Sequence, residues 1–322
     1  MGSSIWVEHL AAAVQQGKTS EANVTRSVKR ALRPLFRAGR FDPLDEVAWA
    51  QLPLSVVNST DHQRAAFDAA LQGIALLKND KATLPLTKTN LKLAVVGPMA
   101  FARDDMISDY GNGKWRRQNA CYNGDPAHAH QSSDHCIPTV SEALAATNAQ
   151  HGGTTKAAIG CMLDGPAQPL DHAAALAAAK AADQVVLVLG NGHNQEREGK
   201  DRPATTLPGQ QVALALAVLK LAMPTTVVFI GGGAIAFEEI LAAGPGAVVY
   251  AFNLALGAPA LAATLFGEPG ANRWGKLPIT LYPASFAKEA DYDSYDMSAP
   301  PGRTYRYYTG TPMYPFGHVS TG

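Results

Sequence analysis

The sequence predicts an α/β protein: a mostly parallel sheet sandwiched by helices and preceded by a helical pair. Short apolar runs alternate with longer helical patterns between residues 91 and 267. These runs are continuously apolar, which is typical of strands buried on both faces of a parallel sheet. Apolar residues make up 47% of the 322 residues and charged residues only 17%, so the chain can bury a large core.

Two helices are predicted before this unit. Residues 4–17 carry apolar side chains at helical spacing, and Ser20 is placed to cap a second helix that runs to residue 38. Such a pair cannot form a core alone, so we expect its exposed faces to be apolar and to pack on another structure. The predicted organisation is a helical pair (1–43), a linker (44–58), a sandwich domain (59–285) and an irregular tail that packs on it (286–322).

The sandwich domain is predicted to open with a helix over 62–78 that places Ile74 and Leu77 on its apolar face. The predicted strands cover 91–97, 155–160, 184–190, 225–231 and 246–251. The predicted helices between them cover 138–149, 171–182, 208–222, 234–243 and 257–267. A polar segment over 100–135 interrupts this pattern and is too long for a plain connection.

Composition and motifs argue against several classes of protein. The 27 basic and 27 acidic residues cancel, which argues against a nucleic-acid or anionic-membrane binder. No apolar run approaches the roughly 18 residues of a membrane span, and the N-terminus does not resemble a signal peptide. The sequence contains no G-x-S-x-G, P-loop or H-E-x-x-H motif, so the commonest hydrolase, nucleotide-hydrolase and zinc-protease patterns are excluded.

Candidate ligand-binding loops follow the predicted strands, because ligands of open α/β sheets bind outside the carboxyl ends of the strands. The loops concerned start after residues 97, 160, 190, 231 and 251. The loop over 191–202 is the most polar and carries two glutamates, an aspartate, a histidine and two arginines. One of its carboxyls could act as a general acid, and the alternative is a solvated loop of ion pairs.

Two other motifs are weaker. Gly231-Gly-Gly-Ala-Ile-Ala236 fits a dinucleotide-binding pattern, but no acidic residue follows at the expected distance, so a tight strand-to-helix turn is favoured. Several potential zinc ligands crowd one loop without the spacing of a compact zinc motif: Cys121, His128, His130, His135 and Cys136. We therefore predict no metal and no cofactor.

Several motifs, spread over nearly the whole chain, resemble in their order the motifs of one protein family. They include Leu93-Ala-Val-Val-Gly-Pro98, Glu196-Arg-Glu-Gly-Lys-Asp-Arg202 with Leu207-Pro-Gly-Gln210, Gly275-Lys-Leu-Pro278 and Gly302-Arg-Thr-Tyr305. In this order they resemble the second domain of glycoside hydrolase family 3, most closely its β-xylosidase branch and next its β-glucosidases. The helical pair, which ends with Gly39-Arg-Phe-Asp42, resembles the last helices of that family's barrel.

The resemblance implies part of a retaining glycosidase that acts on β-linked xylosides or glucosides. In the family, a (β/α)8 barrel supplies an aspartate nucleophile and the second domain supplies the acid/base carboxyl. The position that matches the acid/base is Glu196, and Glu198 is its rival. Glu198, Arg202 and His193 are the expected substrate-binding residues, although Arg202 could instead hold the loop in shape.

Apart from the helical pair, the barrel has no counterpart in this sequence, and neither have its nucleophile and most of its sugar-binding residues. Ser108-Asp109-Tyr110 resembles the nucleophile tripeptide only superficially, since it follows the first strand of the second domain. The expected partners are therefore a carbohydrate and a separate barrel-bearing chain or larger assembly docking on residues 1–43. The alternatives are a catalytically inactive domain that binds carbohydrate or serves as a structural subunit, and a nucleotide-binding protein.

Neither composition nor motifs indicate the cellular compartment of the protein. The family suggests a secreted parent, with which a disulfide between Cys136 and Cys161 would be compatible.

Overall fold

The chain divides into two compact units, Met1–Val56 and Val57–Gly322. The computed structural model describes residues 3–56, 58–107, 137–164 and 172–320. Within these ranges, no helix combines the length and the apolar character that a membrane span requires.

The first unit contains two helices, α1 (Ser3–Gln15) and α2 (Glu21–Arg37). The Ser20 hydroxyl accepts a hydrogen bond from the Asn23 backbone N–H at 3.2 Å and so caps α2, as predicted. Large apolar side chains of both helices are exposed: Ile5, Trp6, Val7, Val28, Leu32, Leu35 and Phe36. The prediction of apolar exposed faces is confirmed.

In the part of the second unit that the structure describes, six strands form one sheet. These are β1 (Ala75–Asn79), β2 (Lys92–Val96), β3 (Thr154–Ala158), β4 (Gln184–Gly190), β5 (Thr225–Ile230) and β6 (Ala247–Tyr250). Their order across the sheet is β1-β6-β5-β4-β2-β3. Strand β1 runs antiparallel to β6 and every other neighbouring pair is parallel, so the prediction of a mostly parallel sheet is confirmed.

The prediction of a helix over 62–78 was wrong for its last residues. Helix α3 (Thr60–Gly73) ends at Gly73, and Ala75–Asn79 forms β1 against β6. The run Ile74-Ala-Leu-Leu77 is buried in the extended conformation, where alternate side chains enter the cores on opposite faces of the sheet. A short continuous apolar run fits either element by periodicity, and here pairing with β6 decides.

Helices cover both faces of the sheet. The remaining α-helices of the described residues are α4 (Val140–Gln150), α5 (His172–Lys180), α6 (Gln211–Leu219), α7 (Glu238–Ala242), α8 (Ala258–Phe266), α9 (Phe286–Glu289) and α10 (Thr304–Tyr307). Helices α4 and α8 share a core with Val186 and Val188 of β4, whereas α5 and α6 share the opposite core with Leu187 and Leu189. Alternate side chains of this one strand therefore pack in the two cores on opposite faces of the sheet.

The last part of the chain returns to the sheet. The Leu281 backbone N–H donates to the Tyr314 carbonyl at 3.0 Å, and the Ser320 N–H donates to the carbonyl of Leu76 in β1 at 3.1 Å. The His318 ring nitrogen Nε2 lies 3.0 Å from the Leu77 carbonyl oxygen.

The strand order places a topological switch point between β2 and β4. The chain passes from β2 to β3 on one side and then crosses to β4 on the other side of β2. The loops that leave the carboxyl ends of β2 and β4 therefore diverge and leave a crevice between them.

Candidate functional site

A cleft of about 440 Å³ lies at this switch point. Its walls come from the loops after β2, β4, β5 and β6, which are four of the five predicted ligand-binding loops. The residues lining it are Asp105, Ile107, Asn191, Gly192, His193, Glu196, Arg197, Glu198, Gly199, Lys200, Asp201, Gly232 and Asn253. The loop after β3 supports the cleft from behind, because Asp164 accepts a hydrogen bond from Gln195 Nε2 at 2.7 Å.

Glu198 is presented at the tip of a tight turn. The backbones of Arg197 and Lys200 exchange hydrogen bonds of 3.1 and 2.9 Å, which leaves Glu198 and Gly199 as the two central residues. Gly199 has a φ of +72°, a conformation that glycine adopts without a steric penalty. The turn holds the exposed Glu198 residue in the wall of the cleft.

Each carboxylate oxygen of Glu196 accepts a hydrogen bond from the protein. Arg202 Nε donates to Oε2 at 2.6 Å, and the Gly233 backbone N–H donates to Oε1 at 3.0 Å. The side chain of Arg202 is only 13% exposed, and its Nη2 also donates to the Ala234 carbonyl at 2.7 Å. We call Glu196, Arg202 and Gly233 the carboxylate clamp.

The glycine run after β5 makes this clamp possible. A side chain at Gly233 would place a Cβ 2.8 Å from Arg202 Nη2 and 2.9 Å from Glu196 Oε2. Behind it, the buried Tyr250 hydroxyl donates to the Gly233 carbonyl at 2.6 Å, and burial raises the pKa of Tyr250. In this structure the space that a side chain at Gly233 would need is taken by the protein's own carboxylate and guanidinium.

His193 helps to join the two loops at the switch point. Its backbone N–H donates to Asp105 Oδ1 at 2.9 Å, and its ring Nε2 lies 2.9 Å from the Asp104 carbonyl oxygen. Sequence reasoning missed Asp105, although this residue lies in the loop after β2, one of the loops that the sequence singles out.

The structure therefore brings three of the four predicted site residues, Glu196, Glu198 and His193, into the wall of one cleft. Arg202 does not line the cleft and contacts Glu196 as a clamp residue. Within the described residues, no three histidine, cysteine or acidic side chains are grouped to hold a metal ion.

The candidate zinc ligands between Cys121 and Cys136, and the tripeptide Ser108-Asp109-Tyr110, lie outside the described residues. The proposed disulfide partner of Cys161 is among them. Cys161 itself is buried as a thiol, and this burial raises its pKa to about 11.

Comparisons with known proteins agree on one family. Residues 74–321 match the sequence model described as the glycosyl hydrolase family 3 C-terminal domain. The chain is 32% identical over 320 residues to probable beta-D-xylosidase 6 of Arabidopsis thaliana, and 31% identical over 323 residues to a probable exo-1,4-beta-xylosidase of Aspergillus oryzae. These alignments cover 97% and 98% of this chain but 37% and 36% of the relatives, so the chain spans little more than a third of their length.

Solved structures give the same result. A GH3 exo-beta-xylosidase in complex with a xylobiose aziridine probe superimposes with a TM-score of 0.78 at 27% identity, covering 98% of this chain and 38% of that one. A beta-glucosidase from Erythrobacter marinus superimposes with a TM-score of 0.70 at 27% identity, covering 97% of this chain and 41% of that one.

Proposed function

The chain belongs to glycoside hydrolase family 3, and we propose that it supplies the acid/base carboxyl of a retaining glycosidase acting on β-linked xylosides or glucosides. The relatives named above are xylosidases and a glucosidase, which supports this substrate class. The nucleophile comes from a barrel that the matched residues do not include. That barrel belongs either to a longer form of the polypeptide or to a separate chain.

The exposed position of Glu198 in the wall of the cleft carries the proposal. A general acid needs a carboxyl that can carry a proton and present it to the substrate oxygen. Both oxygens of Glu196 already accept hydrogen bonds, so protonating and aiming this group would require rearrangement of the carboxylate clamp. Glu198 is exposed at the tip of a turn in the same cleft. We therefore assign the acid/base role to Glu198 and a positioning role to Glu196, the reverse of the order that the sequence pattern favours.

The proposed chemistry follows the retaining mechanism. The barrel carboxylate attacks the anomeric carbon while Glu198 donates its proton to the departing glycosidic oxygen. Glu198 then removes a proton from the water that hydrolyses the glycosyl-enzyme intermediate. This requires the nucleophile to approach within about 5–5.5 Å of the Glu198 carboxyl, across the open cleft.

The first unit offers a surface for the missing barrel. Helices α1 and α2 enclose an apolar groove of about 700 Å³, whose lining includes Ile5, Trp6, Leu10, Val24 and Val28. Large apolar patches on a protein surface usually mark interaction sites. We propose that the barrel covers this groove.

Native mass spectrometry of the protein purified from its source, combined with hydrolysis of p-nitrophenyl β-D-xyloside and β-D-glucoside, tests the proposal. We expect a barrel-bearing polypeptide in the same particle, and hydrolysis by that particle. A particle without a barrel and without hydrolysis would contradict the proposal. It would favour the alternative of an inactive carbohydrate-binding or structural subunit.

A further inference from the structure

A second pocket, of about 360 Å³, adjoins the cleft at Gly232, which lines both. Three aromatic side chains contribute to its lining, those of Tyr282, Tyr305 and Phe316. We call it the aromatic pocket. None of these three residues belongs to the site predicted from the sequence, and the proposed acid/base chemistry does not use them.

Two rings of the aromatic pocket are stacked on each other and open to solvent. The ring centroids of Tyr305 and Phe316 lie 4.5 Å apart, with 25° between the ring planes. Tyr305 is 61% exposed and Phe316 is 47% exposed. Exposed aromatic side chains in a concave site usually mark a binding surface. A ligand that enters the pocket therefore reaches both residues.

Phe316 is held in place by backbone pairing on both sides of it. The Met313 backbone N–H donates to the Leu281 carbonyl at 2.8 Å. The Gly317 backbone N–H donates to the Leu277 carbonyl at 2.7 Å. Leu277 and Leu281 are completely buried, so this pairing attaches the exposed ring of Phe316 to the core of the second unit.

Tyr305 follows a residue with an unusual backbone conformation. Thr304 has a φ of +63°, which is rare for a β-branched residue. Its backbone N–H donates to the Tyr282 hydroxyl at 2.7 Å, and the Tyr282 ring stacks on Phe286 at 3.8 Å. Such conformations persist where the surrounding structure enforces them, often at ligand-binding positions. The contacts of Tyr282 therefore fix the start of the segment that carries Tyr305.

The charges around the aromatic pocket favour a neutral ligand. Among the described residues that line it, none has a charged side chain. Glu196 and Arg202, which lie next to Gly233, bind each other. The guanidinium of Arg306, outside the lining, lies 6.0 Å from the centroid of the Tyr305 ring, within the range of a cation–π contact. A pyranose ring suits this pocket, because its C–H bonds can pack on aromatic rings while its hydroxyls stay at the wet edge.

We propose that the aromatic pocket binds the second ring of a neutral β-linked disaccharide whose first ring lies in the cleft beside Glu198. The inference rests on the proposed function, which gives the cleft a sugar substrate. Gly232 lies between the two sites and has no side chain to separate two linked rings. Tyr305 and Phe316 are thereby substrate-binding residues of this chain.

The test measures sugar binding by the full chain in solution. Uniformly ¹⁵N-labelled protein is titrated with xylobiose and with cellobiose. The single-ring controls are methyl β-D-xylopyranoside and methyl β-D-glucopyranoside. We expect at least one disaccharide to shift the backbone amide signals of Gly232, Tyr305 and Phe316, and to bind more tightly than its single-ring control.

A variant separates the second ring from the first. Phe316→Leu keeps an apolar side chain but removes the aromatic ring, and it should weaken disaccharide binding about three- to tenfold, the contribution of one aromatic contact. It should leave binding of the single-ring glycoside unchanged. The matched control is Tyr295→Leu, which removes a fully exposed tyrosine outside the pocket lining and should change neither affinity.

Three results would overturn the inference: amide signals of Tyr305 and Phe316 that no disaccharide shifts, unchanged disaccharide affinity in Phe316→Leu, or equal weakening for one ring and two. Larger shifts of these signals with sodium D-glucuronate than with the neutral sugars would also overturn it, in favour of an anion site at Arg306.

The proposed function is judged separately, by hydrolysis in the barrel-containing particle. Hydrolysis of xylobiose that depends on Glu198, with an unchanged KM in Phe316→Leu, would remove only the role of the aromatic pocket. Disaccharide binding that depends on Phe316, in a particle without hydrolysis, would remove only the catalytic role.

Discussion

Replacing Arg202 by methionine tests whether the carboxylate clamp stabilises the loop after β4. The substitution keeps an apolar stem but removes the donor to Glu196 at 2.6 Å and the donor to the Ala234 carbonyl at 2.7 Å. The Arg202 and Glu196 side chains are 13% and 29% exposed, so the pair lies between a surface ion pair and a fully buried one. Surface pairs contribute about 0–1 kcal/mol, and breaking a buried pair costs about 3–5 kcal/mol. We therefore expect a loss of about 2–3 kcal/mol.

For a unit of this size, such a loss lowers the melting temperature by roughly 4–6 °C. Urea and thermal unfolding at neutral pH measure both quantities. The matched control is Arg197→Met in the same loop, where an exposed arginine donates to the His193 carbonyl at 2.9 Å. This variant should lose less than about 1 kcal/mol. Equal losses in the two variants would refute the clamp as a stabilising element.

Three further outcomes follow from the same geometry. Tyr250→Phe removes the hydroxyl that holds the Gly233 carbonyl and should cost about 1–2 kcal/mol in urea unfolding, with faster amide exchange at Gly233; unchanged exchange would contradict this. Gly233→Ala forces a Cβ within 2.9 Å of Glu196 and should destabilise by about 1–3 kcal/mol, whereas Gly73→Ala, with no atom within 4 Å, should be nearly neutral. Because burial raises the pKa of Cys161 to about 11, its thiol is protonated at pH 8, so iodoacetamide should modify it only after unfolding, as peptide mass mapping would show.

The fold was predictable where one physical signal dominated. Strands β4, β5 and β6 are continuously apolar because both of their faces are covered, and the sequence locates them to within one residue at each end. Ile74-Ala-Leu-Leu77 carries the same signal but follows a helix with only Gln72 and Gly73 between its last apolar residue and the run, so periodicity could not separate helix from strand. Only pairing with β6 decides its conformation.

The cleft was predictable in position but not in detail. The polar loop after β4 is evident from the sequence, and its place at the carboxyl end of a buried strand indicates a ligand site. The different environments of Glu196 and Glu198 are not evident, because the groups that hold Glu196 come from later in the chain. Arg202 lies six residues after Glu196 in the same loop, whereas Gly233 meets Glu196 only because β5 lies beside β4.

The most direct test of the central claim compares Glu198→Gln with Glu196→Gln in the particle that contains the barrel. Each variant is assayed with xylobiose, whose leaving group needs protonation, and with p-nitrophenyl β-D-xyloside, whose leaving group does not. We predict that Glu198→Gln lowers kcat/KM for xylobiose by about 10²-fold or more and lowers kcat/KM for the aryl xyloside far less, because kcat/KM reports the glycosylation step, in which only xylobiose needs the proton. Glu196→Gln should lower the melting temperature and reduce both activities by a similar factor. A selective loss of xylobiose hydrolysis in Glu196→Gln, with Glu198→Gln active, would contradict the assignment.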